Sequence, residues 1–279
     1  MAYKSIFTVV TEDSHVKDHV SAVMSFAKSH DAHLEVLALG VDRSHAGLHY
    51  SELSAAILQA GMEDAQTTAN ALAKGAEDVM QGEMLRFGVT PMIAQTGSIA
   101  DEVTRMARFS DLGILPQPYG PNAHPDDVTV TEAALFSAGV PVLLLPDNAG
   151  PYVAPRRLLL GWNESEEAMA ATRSAMPLLI ESDTAYITII DPPRHGPDRS
   201  DPGGLLSQYL ARHGIRCEID VVARTLPRIG DVLQRQIVDR DIDMVVMGAY
   251  GRPRWSEAMF GGATRQMLEE ASVPVFMAR

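Results

Sequence analysis

The chain states its architecture twice. Ser5-Ile6-Phe7-Thr8-Val9-Val10 is an apolar, β-branched run, and Arg157-Leu158-Leu159-Leu160-Gly161-Trp162 is a second of the same kind. Each leads into an acidic, serine-containing turn (Thr11-Glu12-Asp13-Ser14; Asn163-Glu164-Ser165-Glu166) and then into a segment of helical period. Serine or an acid just before such a segment is a helix N-cap signal. Residues 34–39 correspond to 185–190, and 111–115 to 243–247. The closest match is Gly139-Val140-Pro141-Val142-Leu143 against Ser272-Val273-Pro274-Val275-Phe276. An internal repeat on this scale means two copies of one structural unit.

Strands separated by helical segments make βαβ units, hence a parallel sheet buried on both faces. Five strands per half with right-handed crossovers give two tandem, doubly wound α/β (Rossmann-like) domains. Their bounds are set at 1–147 and 155–279 by Pro146-Asp147-Asn148-Ala149-Gly150-Pro151-Tyr152-Val153-Ala154-Pro155, rich in Pro, Gly and Asn as a linker should be. The halves differ after their second strands. The first carries a long helical stretch, about residues 51–87, with Leu53, Ile57, Leu72, Val79 and Met80 as its apolar positions; the second has only 203–213 there.

Charge narrows the partners. With 23 Lys+Arg against 36 Asp+Glu, the net charge of −13 repels nucleic acid and anionic lipid. No apolar run approaches the ~20 residues that span a bilayer. The first residues run straight into a strand pattern without the regions of a signal peptide. One cysteine, Cys217, excludes an internal disulfide framework and fits a reducing compartment. A cytoplasmic location is the expectation.

The chemistry concentrates in one loop. Gly248-Ala249-Tyr250-Gly251 follows an apolar strand; nine residues later Gly261-Gly262-Ala263-Thr264 opens a helical segment. In an open parallel sheet ligands bind outside the carboxyl ends of the strands, where this loop must sit. Glycines let backbone approach a ligand closely, and free N–H groups at a helix start bind phosphate. Arg252, Arg254 and Arg265 add local positive charge. The competing reading is that the glycines only serve turns and close helix packing.

The loop resembles the universal stress protein pattern Gly-x2-Gly-x9-Gly-(Ser/Thr), with a Val-Pro-Val last strand at the expected distance. Gly161-Trp162-Asn163-Glu164-Ser165 is similar to that family's first strand and turn, and the resemblance covers the chain twice. It implies the five-stranded α/β sandwich and, for ATP-binding members, ATP held across these loops, with or without magnesium. Carried over, Gly161 and Asn163 would lie near the adenosine, and Ile189 would meet adenine through its backbone. Met247, Gly248, Gly251, Gly261, Gly262 and Ala263 would surround ribose and phosphates. Two positions depart from the pattern: Asn163 stands for the usual Asp, and Gly262 for the Ser/Thr after the third motif glycine. Thr264 is the candidate to replace that hydroxyl; one neutral hydrogen bond lost costs about 1 kcal/mol. Members of the family commonly dimerise through the last strand. The resemblance therefore implies an intramolecular pseudo-dimer in which residues 140–144 pair with 273–277, covering two edges that would otherwise invite aggregation.

In the first half the corresponding loop, Pro116-Gln117-Pro118-Tyr119-Gly120-Pro121 to Val128-Thr129-Val130-Thr131, keeps none of the paired glycines. Proline lacks an N–H donor, so nucleotide binding is expected in the second half alone. His15 with His19, and His45 with His49, have i, i+4 spacing but no third ligand at diagnostic distance, and a solvated face is the expected setting for the first pair. Cys217 falls in a strand and is expected to be a buried thiol; Asp101 and Asp231 are expected to be helix-opening acids rather than catalytic ones. No P-loop lysine or nucleophile elbow is present.

The expected function is a stress-response or regulatory protein that binds an adenine nucleotide, ATP foremost, with an unidentified protein partner and a further homodimer as its associations. The alternatives are an interaction scaffold that binds no nucleotide, and a slow ATP-hydrolysing enzyme.

Overall fold

The computed structural model describes residues 2–44, 55–120, 123–147, 149–192, 201–249 and 262–279. They form two compact units, Ala2–Val140 with Asn148–Tyr152, and Pro141–Asp147 with Val153–Arg279.

In the first unit the chain runs β1 (Ser5–Val10), α1 (Asp13–Ser29), β2 (His33–Asp42), α2 (Ala55–Met80), β3 (Arg86–Gln95), α3 (Ile99–Ala107), β4 (Leu112–Pro116) and α4 (Asp127–Glu132). The strands lie parallel in the order β3-β2-β1-β4. β1 is buried from Ile6 to Val10, as a strand covered on both faces must be. α2 turns a stripe of Ala65, Ala69, Leu72, Ala73, Ala76 and Met80 inward, at the 3–4 spacing of one helix face. The helix is shorter than the stretch expected over 51–87. Gly82 adopts φ +82°, a left-handed conformation that ends helices cheaply only at glycine, and Arg86 and Phe87 belong to β3. Ile57, expected among its apolar contacts, is 45% exposed; Leu53 lies outside the described residues.

The second unit contains β5 (Val142–Leu145), β6 (Arg157–Gly161), α5 (Glu166–Ser174), α6 (Met176–Glu181), β7 (Thr184–Ile190), α7 (Gly204–Arg212), β8 (Cys217–Val222), α8 (Ile229–Asp239), β9 (Met244–Gly248), α9 (Gly262–Glu270) and β10 (Val275–Ala278). Its strand order is β5-β10-β9-β6-β7-β8, parallel except at the β5–β10 pair. The order β8-β7-β6-β9-β10 is the doubly wound 3-2-1-4-5 arrangement of the second half. β5, from the first half of the sequence, completes this unit: Leu144 faces Val275, Leu143 faces Phe276 and Val142 faces Met277. The two Val-Pro-Val strands thus pair as expected, and the tandem α/β fold is the one observed. Pro177, in the first turn of α6, restarts the helix after α5 because a proline cannot continue it.

The repeat extends to individual hydrogen bonds. Asp111 Oδ2 accepts the backbone N–H groups of Lys4 and Ser5 (2.7 and 3.0 Å). Asp243 Oδ2 accepts those of Arg156 and Arg157 (both 2.8 Å). With the strand registers, this equates Val9 with Gly161, Thr11 with Asn163, and Pro116 with Gly248. The linker is tied to the first unit at Tyr152, whose N–H donates to Ser25 Oγ (3.0 Å) and whose ring meets that of Phe26 edge-on. No helix among the described residues is long and apolar enough to cross a membrane.

Candidate functional site

In the second unit four residues align in one row across four strands. Gly161 of β6 lies opposite Met247 of β9 on one side and Thr188 of β7 on the other, and Thr188 lies opposite Asp220 of β8. Residues paired in this way present their side chains on one face of the sheet. The row closes the carboxyl end of β6, the strand from which the chain crosses over in both directions. In doubly wound sheets that is where the crevice for a ligand opens.

Gly161 leaves that row without a side chain. A Cβ there would meet Met247 Cβ at 3.4 Å and Val246 O at 3.8 Å, and nothing else within 4 Å among the described residues. Beside it, the Thr188 hydroxyl is buried and finds no hydrogen-bond partner among the described residues. Buried polar groups are almost always paired, so an orphaned hydroxyl next to a side-chain-free position is the strongest local sign of a ligand contact. Asp220 Oδ2 is likewise buried and without a partner among the described residues, while its Oδ1 accepts from Arg240. The sequence reading missed Thr188; a hydroxyl one position before the expected adenine contact, inside an otherwise aliphatic strand, was the available signal.

The structure places the other expected residues around this row. Asn163 is exposed past the end of β6, and its Oδ1 accepts the Ser165 N–H (3.2 Å), shaping the turn. Ser165 in turn caps α5, accepting the Ala168 N–H at 3.1 Å. The Ile189 side chain is buried near Gly203, where an added Cβ would lie 2.8 Å from Ile189 Cδ1. Met247 is buried and ends its row. Gly248 has a packing role, because a Cβ would come within 2.6 Å of Ala168 N and 2.7 Å of Glu167 C. Only a residue without a side chain lets β9 approach the first turn of α5 so closely.

Gly262 opens α9 exposed, with no described atom within 4 Å of an added Cβ. Ala263 is half-buried, and Thr264 is buried on the inner side of the helix. Gly251 and Gly261 lie outside the described residues, as do Arg252 and Arg254.

Other expectations fare differently. Asp231 sits in the first turn of α8, paired with Arg228 (2.9 Å) and accepting from Gln266. The Arg228 hydrogen bond, and then that of Gln266, hold its carboxyl below the ordinary value, as suits an ionised helix-opening acid. Asp101 lies in the first turn of α3. Cys217 is half-buried rather than buried, with Sγ 3.2 Å from Ser207 Oγ. His19 is not on a solvated face: it is half-buried, and its Nε2 lies 2.8 Å from Thr8 Oγ1. His45 and His49 lie outside the described residues. Among the described residues no group of three metal-ligating side chains is arranged to hold a metal.

A switch point at the carboxyl end of the first strand of a doubly wound parallel sheet is the geometry of a Rossmann-like α/β unit. Residues 155–279 match the model of the Universal stress protein family, so the second half of the chain is a universal stress protein domain. The fold of the whole chain is similar to the crystal structure of a universal stress protein from Archaeoglobus fulgidus DSM 4304, at 14% identity and a TM-score of 0.69, covering 99% of this chain and 96% of that one. It is also similar to a functionally unknown protein from Pseudomonas aeruginosa PAO1, at 16% identity and a TM-score of 0.58, covering 99% and 92%. No curated protein sequence matches the chain.

Proposed function

We propose that the second unit binds one adenine nucleotide, ATP foremost and with or without magnesium, and that the chain is a cytoplasmic regulatory protein whose conformation or assembly the nucleotide biases. The observation that carries this reading is the row at the end of β6: Gly161 without a side chain beside the buried hydroxyl of Thr188, which has no partner among the described residues. Gly161, Asn163 and the backbone of Ile189 would hold the nucleoside. The exposed start of α9 at Gly262 and Ala263 would offer N–H donors to phosphate, with Gly248, Gly251, Gly261 and Thr264 framing the loop. A bound nucleotide acts here by differential affinity for two states, not by turnover.

Thr188→Val tests the reading, because it keeps the shape and removes only the hydroxyl. Loss of a hydrogen bond to ligand should lower ATP affinity about five-fold in calorimetric titration. The folded chain should be no less stable, since the hydroxyl has no partner among the described residues. An unchanged affinity would remove Thr188 from the site, and no heat with unmodified protein would end the proposal. Adenine absorbance released on denaturing freshly purified protein is the complementary check.

A second reading, an interaction scaffold without nucleotide, draws support from Gly248, whose glycine is explained by packing against α5 alone.

A further inference from the structure

Past Thr188 the row at the end of β6 has one more member, Asp220 of β8, the outermost strand on that side of the sheet. Asp220 faces two ways. Its Oδ1 accepts from the guanidinium of Arg240, the residue that ends α8. The same guanidinium lies 4.0 Å from Glu218 and over the Tyr186 ring. Its Oδ2 is buried and has no hydrogen-bond partner among the described residues. Only 13% of the side chain is exposed, so bulk water does not supply one. A buried acceptor left unmatched costs the desolvation of the group, and a charged one costs more.

The Thr188 hydroxyl, directly opposite on β7, is in the same state. Neighbouring strands lie about 4.8 Å apart, and the two groups do not bond to one another. A single polar atom between them would satisfy both. Pairing with Arg240 keeps Asp220 ionised, and an ionised carboxylate only accepts, whereas a threonine hydroxyl accepts or donates. The atom between them must therefore carry a proton for Asp220. A keto oxygen has none. An amino group has two, one for each side chain.

The order of the strands decides which part of a nucleotide arrives here. The start of α9, the proposed phosphate end, follows β9 on one side of β6, while β7 and β8 lie on the other. From Gly161 to Asp220 is two strand spacings, about 10 Å, a span that a nucleoside bridges and ribose alone does not. Resting on the nucleotide reading above, we infer that Asp220 and Thr188 read the exocyclic amino group of adenine, so that the site selects a 6-aminopurine over a 6-ketopurine. Asp220 is the residue that sets specificity, because its charge rejects an acceptor; Thr188 tolerates either kind of group.

The test is calorimetric titration of the full chain with ATP and with ITP, which has a keto oxygen in place of the amino group. ATP should bind at least about ten-fold more tightly than ITP. Asp220→Asn keeps the shape and can turn an amide N–H toward a keto oxygen, so the two affinities should then agree within about three-fold. Equal affinities in the unmodified chain would overturn the assignment while leaving nucleotide binding in place; a water bridging Thr188 and Asp220 would give that result. A preference for ATP that Asp220→Asn leaves unchanged would overturn it as well. No heat with either nucleotide would end the nucleotide reading and this assignment together. Should the variant fail to fold, NMR of the unmodified chain with ATP labelled with 15N at the amino group decides. A nuclear Overhauser effect from the amino protons to the Thr188 methyl is expected, and its absence in the bound state would overturn the assignment.

Discussion

At the end of its first strand the second unit has Gly161 and Asn163; the first unit has Val9 and Thr11 at the same register. At the end of the fourth strand, Gly248 stands where the first unit has Pro116. The frames are the same down to the aspartate that ties the first strand to the fourth, yet the two crevices have opposite character. One is bare at Gly161, beside the buried hydroxyl of Thr188. The other is walled by Val9, Val16 and Pro116 and holds the buried carboxylate of Asp127, which accepts from the His124 N–H and the Thr11 hydroxyl. A duplicated scaffold therefore conserves what holds the sheet together, while the residues just past the strand ends, which carry little of the fold, are free to change chemistry.

The largest effect that can probe this difference belongs to Gly248. In Gly248→Val the added carbons enter the backbone of the first turn of α5, and destabilisation of about 3 kcal/mol is expected in urea unfolding. The reverse exchange, Pro116→Gly, should cost under about 1 kcal/mol. A cost under about 0.5 kcal/mol for Gly248→Val would show that close packing is not why glycine stands there.

Next is Gly161→Val, which copies Val9. Among the described residues only Met247 and Val246 lie within 4 Å of the new Cβ, both at ordinary contact distance. Stability should therefore change by less than about 1 kcal/mol, while ATP affinity falls at least about ten-fold by calorimetry. Val9→Gly should leave ATP titration untouched. Equal losses in the two variants would mean that the nucleotide does not distinguish the units.

The shared feature gives a smaller and symmetric effect. Asp111→Ala and Asp243→Ala each remove an acceptor for two backbone N–H groups at exposed strand starts. Each should cost about 1–2 kcal/mol, and the two costs should agree within about 0.5 kcal/mol if the repeat is as exact in energy as in geometry.

The smallest effect is the pH dependence of Asp127. Its folded pKa lies above the ordinary 3.8 because of burial. At neutral pH the carboxylate is charged in both folded and unfolded chains, and the burial cost is fully present. As pH falls through the raised folded value, the folded chain takes up the proton first and gains relative stability. The stability of Asp127→Asn relative to the unmodified chain should therefore decline between pH 7 and pH 4. Unfolding midpoints at several pH values would read this, and a difference constant with pH would remove the burial argument.

Much of this was legible from local signals. Alternation of apolar runs with helical segments located the strands, and the repeated Val-Pro-Val placed β5 beside β10 because an edge strand needs covering. Gly248 and Gly262 look alike in sequence and differ in setting, since one is pressed by α5 and the other has no described atom near an added Cβ. That distinction depends on packing between distant segments, which no spacing encodes. The length of α2 was overestimated because apolar residues continue past Met80 into β3, and Gly82 alone marks the change. His19 looked solvated among charged neighbours, but its partner Thr8 comes from a different element. Thr188 went unnoticed because an unpaired hydroxyl is visible only once its surroundings are known.

The pairing of β5 with β10 has a consequence for how the protein responds to dilution. Were the two strands on separate chains, their pairing would be bimolecular and would weaken as protein concentration fell. Here the eleven residues 146–156 join β5 to β6, and short linkers of this kind set effective concentrations in the millimolar range. The seam should therefore stay closed at nanomolar protein, and a tandem chain of this kind can be kept scarce in a cell without losing its assembled form.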